Sequence, residues 1–163
     1  MMKKGLLIMG LLLLLSGCGG QQTMETVADS YEVVQVAQPR QIQVELPEGG
    51  EESALEGETG RLYLTDDYEI SLQTLEAGDL QATIRTLCGK EQEDLTIVST
   101  RHDGLKKYEF VWAAAGETGQ QLGHSVILDD GNYHYCLTVL RPEDPAKTDQ
   151  VVWSQVFSSF SLS

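Results

Sequence analysis

Over much of its second half the chain alternates apolar and polar residues with a period of two, broken at short Asp- and Gly-containing turns. A period of two places successive side chains on opposite faces of a strand. Asp103-Gly104 is a strong signal for a two-residue hairpin turn, because that turn needs positive φ at both central residues. Pairing outward from it sets Ser99 opposite Tyr108, Ile97 opposite Phe110 and Leu95 opposite Trp112 on one face. The other face pairs Thr100 with Lys107, Val98 with Glu109 and Thr96 with Val111. Turn chemistry and alternation therefore agree on one register. The same reading of Asp130-Gly131 predicts Leu128 opposite Tyr133, Val126 opposite Tyr135, His124 opposite Leu137 and Leu122 opposite Val139. Ile127, Ser125 and Gly123 then face His134, Cys136 and Thr138 on the less apolar side. Gly116-Glu117-Thr118-Gly119 links the two hairpins into a four-stranded antiparallel meander over about residues 94–141.

Ahead of the meander, Arg61–Leu64 and Tyr68–Leu75 form another predicted hairpin around Asp66-Asp67. The period then changes. Leu80, Ile84, Leu87 and Cys88 recur at helical spacing, with Asp79 placed as N-cap, Arg85 and Lys90 suited to the last turn and Gly89 to the stop. A second helix is predicted from an Asp144 cap and Pro145 to about Ser159, with Val152, Trp153, Val156, Phe157 and Phe160 on one broad apolar face. The order is strand, strand, helix, four strands, helix. That is an α+β domain, helices packed on an antiparallel sheet.

This order is similar to that of the PsbP/DcrB-like family, small α/β/α sandwich domains of envelope lipoproteins and photosynthetic accessory proteins. The closing segment Val152-Trp153-Ser154-Gln155-Val156-Phe157-Ser158-Ser159-Phe160 resembles that family's aromatic terminal helix. The resemblance covers about residues 61–163 and implies a non-enzymatic accessory or binding role, with no catalytic residue to carry over. A cystatin-like helix-on-meander is the alternative fold. The leading hairpin and closing helix count against it.

The amino-terminal end follows a third pattern. Lys3 and Lys4 precede the apolar run Gly5–Leu15, which is too short to span a bilayer as an ordinary helix. A positive start, a short apolar core and small residues make a secretory signal. The run ends Leu15-Ser16-Gly17-Cys18, which resembles the lipobox of bacterial lipoproteins. The resemblance implies cleavage between Gly17 and Cys18, acylation of Cys18 with palmitate-like chains, and a protein held by lipid on the extracytoplasmic face of a bacterial membrane. The alternative is a plain cleaved signal and a soluble secreted protein.

Charge narrows the partners. The chain has 11 basic and 25 acidic residues, a formal −14, and removing the signal with its two lysines makes it −16. So acidic a chain is repelled by phosphate backbones and anionic headgroups, which argues against nucleic acid and leaves membrane attachment to the lipid. Residues 18–60 are acidic and carry a single base, Arg40, and a single aromatic, Tyr31. They read as a tether reaching roughly 35 Å if it behaves as a flexible coil. Within it, Gln41–Leu46 alternates and reads as either an edge strand or coil, ended by Pro47. The layout is signal 1–17, tether 18–60 and one domain 61–163.

Candidate chemistry is sparse. Gly123-His124-Ser125-Val126-Ile127 lacks the last glycine of the hydrolase nucleophile elbow and lies in a strand. His124 points away from His134 and Cys136, and no zinc-ligand spacing occurs. His102 reads as a solvated residue beside a turn. Asp129-Asp130-Gly131-Asn132 lacks the later glycine and glutamate of a calcium loop and reads as a turn. With Cys18 lipidated, Cys88 and Cys136 remain either as a disulfide, which an extracytoplasmic site permits, or as two buried thiols. No metal and no cofactor is expected. The expected function is a membrane-tethered, non-catalytic accessory or binding module of the cell envelope, its partner an envelope protein or small ligand. The alternatives are a small hydrolase with a site of scattered residues, or a structural surface spacer.

Overall fold

Asp103 (φ 48°) and Gly104 (φ 82°) both take positive φ in the computed structural model, as a two-residue hairpin requires. The structure describes residues 37–55, 60–116, 119–143 and 150–163, with side chains described from Trp153 in the last segment. Strands β5 (Val98–His102) and β6 (Leu105–Gly116) flank that turn in the expected register, Ser99 opposite Tyr108 and Val98 opposite Glu109. The ladder stops there. Leu95 and Ile97 pack on the core without joining it, because the chain enters from a 3-10 turn at Gln92–Asp94. That turn is tied to the preceding helix: Gln81 Oε1 accepts from the Gln92 N–H (2.6 Å), and Arg85 pairs with Glu91 through two bonds. The chain cannot lie against that helix and the sheet edge at once.

Strands β7 (Gly119–Asp129) and β8 (Tyr133–Pro142) form the second hairpin, with the register displaced by two residues from the expectation. Leu128 faces Tyr135, Val126 faces Leu137, His124 faces Val139, and Asp129 closes on His134. The cause is side-chain capping of the backbone. Asp129 Oδ1 accepts from the Gly131 N–H, and Asp130 Oδ1 accepts from the Asn132 and Tyr133 N–H groups. These bonds satisfy a four-residue loop, so Asp130-Gly131 does not form the tight two-residue turn. A slip of two preserves the faces, so the inward residues are those expected. β6 and β7 pair up to Gly116 opposite Gly119, and Glu117 and Thr118 lie outside the described residues.

Strands β3 (Gly60–Leu64) and β4 (Glu69–Glu76) are the leading hairpin. Helix α1 (Leu80–Cys88) follows, with Asp79 accepting from the Gln81 N–H at its start and Gly89 in the left-handed conformation at its end. Helix α2 (Gln150–Ser159) ends where expected, while its Asp144-Pro145 start lies outside the described residues. β4 does not join β5. It pairs antiparallel with β8, setting Ile70 against Val139 and Leu72 against Leu137. With β2 (Glu51–Ala54) outside β3, the sheet has seven strands in the order β2-β3-β4-β8-β7-β6-β5.

The helices cover opposite faces. Ile84 of α1 packs with Phe110, Trp112, Ile127 and Cys136, whereas Val156 of α2 and Phe160 just after it pack with Ile70, Leu72, Val126, Leu128, Tyr135, Leu137 and Val139. The fold is thus an α+β, α/β/α sandwich. Among the described residues no helix is long and apolar enough to cross a membrane.

The expected tether boundary at residue 60 needs correction, because residues 37–54 belong to the folded unit, which runs from Ala37 to Ser163. The segment is too polar to build a core, but it borrows one. Ile42, Val44 and Leu46 rest on the α2-side cluster. Two-residue strand β1 (Ile42–Gln43) pairs with β9 (Ser161–Leu162), which follows α2. Ser159 Oγ accepts from the Glu45 N–H, Gln155 donates to Glu45, and the Tyr63 hydroxyl donates to the Pro47 carbonyl and accepts from the Gly50 N–H. Residues 37–46 therefore form a strap across the α2 side of the sheet.

Candidate functional site

The strap creates an open cleft of about 480 Å³ between itself and the first strands of the sheet, lined by Arg40, Gln41 and Ile42 on one side and Gly60, Arg61, Leu72 and Thr74 on the other. Alternation along β3 and β4 sets the second wall. Arg61 points to the same face as the buried Tyr63, and Thr74 to the same face as Ile70 and Leu72. The first wall is fixed by long-range bonds. The Arg40 N–H donates to the Tyr135 hydroxyl (2.9 Å), and its guanidinium donates to the Leu162 carbonyl (3.0 Å). Tyr135 in turn donates to Asp130 Oδ2 (2.9 Å). Burial pushes the Asp130 carboxyl up, but amide bonds from Tyr133 and Asn132, the Tyr135 hydroxyl and the Arg40 charge outweigh it and hold the group below its ordinary value. Loop, strand and strap are therefore one hydrogen-bonded unit.

The histidines lie elsewhere. His134 is 3% exposed, and its Nδ1 is 2.7 Å from the hydroxyl of Thr83, itself 4% exposed. Its Nε2 is 4.0 Å from Asp129 Oδ2, beyond hydrogen-bond distance. The three groups have the residue types of a nucleophile, base and carboxylate. Thr83 is nevertheless sealed between α1 and the sheet, so a substrate carbonyl has no route to it. Burial pushes His134 down, against the raising pull of Asp129 and Asp130. Ser125, fully buried, is satisfied by Thr138 at 2.6 Å and is not an exposed nucleophile.

His124 faces the α2 side, opposite to His134, as the alternation implies. Its ring stacks on Phe157 with centroids 3.9 Å apart, and Nε2 meets Glu109 at 2.9 Å. Burial lowers its pKa, outweighing the raising effect of Glu109. Arg141 lies over the Trp153 ring at 4.9 Å. This cluster docks α2 on the sheet. His102 sits 3.5 Å from Asp103, 42% exposed at its side chain.

Cys88 and Cys136 are free thiols, so the bond weighed as an alternative is not formed. Both belong to the α1-side cluster, on the same face of the sheet. Cys88 bonds to the Ile84 carbonyl, and burial raises the thiol pKa of each. Gly17 and Cys18 lie outside the described residues. Among the described residues no group of three or more His, Cys, Asp or Glu side chains is arranged to hold a metal ion.

Sequence reasoning missed the cleft. Arg40 stood out there only as the lone base of a supposed tether. Nothing local signals that the strap carrying it returns to pair with the last residues of the chain.

No family model and no curated protein matches the sequence. Solved structures do match the fold. The PsbP protein (CyanoP) of Synechocystis sp. PCC 6803 superposes with a TM-score of 0.55 at 13% identity, over 79% of this chain and 96% of that one. A protein of Bacteroides thetaiotaomicron VPI-5482 superposes with a TM-score of 0.50 at 14% identity, over 75% of this chain. The match spans only 45% of the Bacteroides chain. At such identities the likeness is one of fold. The domain has a PsbP-like α+β fold.

Proposed function

We propose that this protein is a lipid-anchored, non-catalytic binding module on the extracytoplasmic face of a bacterial membrane, and that the strap cleft is its recognition site. The observation that carries the binding role is the chemistry of the cleft. Its lining offers guanidinium, amide, hydroxyl and aliphatic groups, which hold a ligand. A guanidinium stays charged at physiological pH and does not exchange protons with a substrate. Of the three histidines, His124 and His134 are built into packing on either side of the sheet, and His102 lies beside the Asp103-Gly104 turn, outside the cleft. The Leu15-Ser16-Gly17-Cys18 sequence supports the anchor.

The test of the anchor is Cys18→Ala, expressed in a bacterial host with labelled palmitate. The native chain should take up label and sediment with membranes. The variant should lose the label and either accumulate unprocessed or leave the membrane fraction. Unchanged sedimentation without label would refute the lipid anchor.

A further inference from the structure

We infer that the strap cleft binds a small amphiphilic oxyanion, a phosphate monoester or carboxylate attached to a short apolar chain. This rests on the binding role proposed above and assigns the class of ligand. The chain carries a formal charge of −14 and has five arginines. Two of them, Arg40 and Arg61, line one cleft. Of the three elsewhere, Arg101 gives one nitrogen to the Gly104 carbonyl at the tip of its hairpin. Arg85 gives Nε and Nη2 to the two oxygens of Glu91 at 3.1 and 2.8 Å, the forked geometry that saturates a carboxylate, and Arg141 stacks on Trp153. Arg61 meets Glu52 through one nitrogen and one oxygen at 3.2 Å, and Arg40 commits one nitrogen to the Leu162 carbonyl. A guanidinium has five N–H donors, so most donors of both groups remain for a ligand.

The remaining features set the ligand's shape. Arg40 is held at its backbone by Tyr135 and at its tip by Leu162, which reduces the ordering cost of binding. Arg61 lies on a regular strand beside Gly60, where a Cβ would stand 2.8 Å from the Leu72 carbonyl oxygen. Thr74 adds a hydroxyl donor, while the half-buried Ile42 presents aliphatic surface continuous with the core to which the buried Leu72 belongs. An oxyanion between two guanidiniums, with an alkyl chain against Ile42, satisfies both walls. A volume of about 480 Å³ lies in the usual range for small-molecule sites. The head can belong to a soluble metabolite or to a membrane lipid. The strongly acidic surface of the chain opposes approach to an anionic bilayer, which favours the soluble source.

The experiment is a calorimetric and NMR titration of the chain from Gly19 onward, which retains every described element, with hexyl phosphate, hexanoate and hexanol. Hexyl phosphate or hexanoate should bind at one site, weaken as salt rises, and shift the amides of residues 40–42 and 60–61. Hexanol should bind at least tenfold more weakly. Arg61→Gln and Arg40→Gln should each weaken the anion by about tenfold, while Arg61→Lys retains part of the affinity and Arg101→Gln, outside the cleft, retains all of it. Sedimentation with phosphatidylglycerol vesicles distinguishes the sources: vesicle binding lost in Arg61→Gln assigns the head to a lipid, and its absence assigns it to a soluble anion. Anion binding indifferent to both arginine variants, or absent altogether, overturns the inference. Hexanol binding as well as the anions in this cleft would overturn the ligand class while leaving the binding role standing. If no probe moves the cleft amides, the inference fails and the binding role loses its site.

Discussion

Replacing Tyr135 by Phe removes one oxygen atom and tests whether the strap is held as described. The ring is fully buried in the α2-side core, and Phe keeps its packing. The hydroxyl accepts from the Arg40 N–H and donates to Asp130 Oδ2, both at 2.9 Å. A neutral bond of the first kind is worth about 1 kcal/mol net, and one to a charged carboxylate about 1.5–3 kcal/mol. Asp130 is partly exposed, so water recovers some of the second loss and the lower end applies. The sum is about 2–3 kcal/mol, a large part of the roughly 5–15 kcal/mol typical of a domain. Urea unfolding followed by tryptophan fluorescence should show the midpoint falling by about 1–2 M for a slope near 1.5 kcal/mol/M. Hydrogen exchange gives the local readout. The Arg40 amide should lose protection, and residues 41–43, which pair with the chain end, should follow it. Amides of β6 and β7 should lose only what the global destabilisation explains. Arg40 protection unchanged relative to those strands would refute the claim that Tyr135 pins the strap.

Acid should destabilise the domain in two stages. Burial holds His124 and His134 below their ordinary 6.5, so the unfolded chain binds protons more readily and stability falls as the pH drops from about 6.5. Glu109 and Asp130 sit below their ordinary values despite burial that pushes them up, the first because of Lys107 and His124, the second because of its amide partners. Their stabilising contribution is present above their unfolded values and is lost as the pH falls through the folded ones, giving a second decline. A flat unfolding free energy between pH 8 and 5 would contradict the buried placement of both histidines. Gly123→Ala should cost at least about 1–3 kcal/mol, because a Cβ there would stand 2.3 Å from the Trp112 ring on the neighbouring strand. A melting temperature within a degree of the parent would show that the indole does not lie over Gly123.

The strand-to-helix order, the α1 caps and the turn at Asp103-Gly104 were legible because each depends on residues close in sequence. Asp79 bonds two residues ahead, and positive φ at Asp103 and Gly104 is a property of the turn itself. The register around Asp130 was legible only to within two residues, because Asp129 and Asp130 cap backbone amides, and two turn geometries were open to the same four residues. Which residues face inward survived that slip, since alternation repeats every two.

What the sequence could not decide was every pairing between distant segments. Alternation makes a strand but does not choose its neighbour, so the docking of β4 on β8, the split of the helices between two faces and the pairing of β1 with β9 all waited for the tertiary structure. The free energy of such contacts is shared across the whole core and leaves no local signature. The same holds for function. The Leu15-Ser16-Gly17-Cys18 motif is contiguous, so the lipid anchor proposed from it was open to a reading of the sequence alone. The cleft exists only because a polar strap, too poor in apolar residues to fold by itself, lies on a core that other segments build. That arrangement brings Arg40 to the cleft that Arg61 also lines, 21 positions further along the chain.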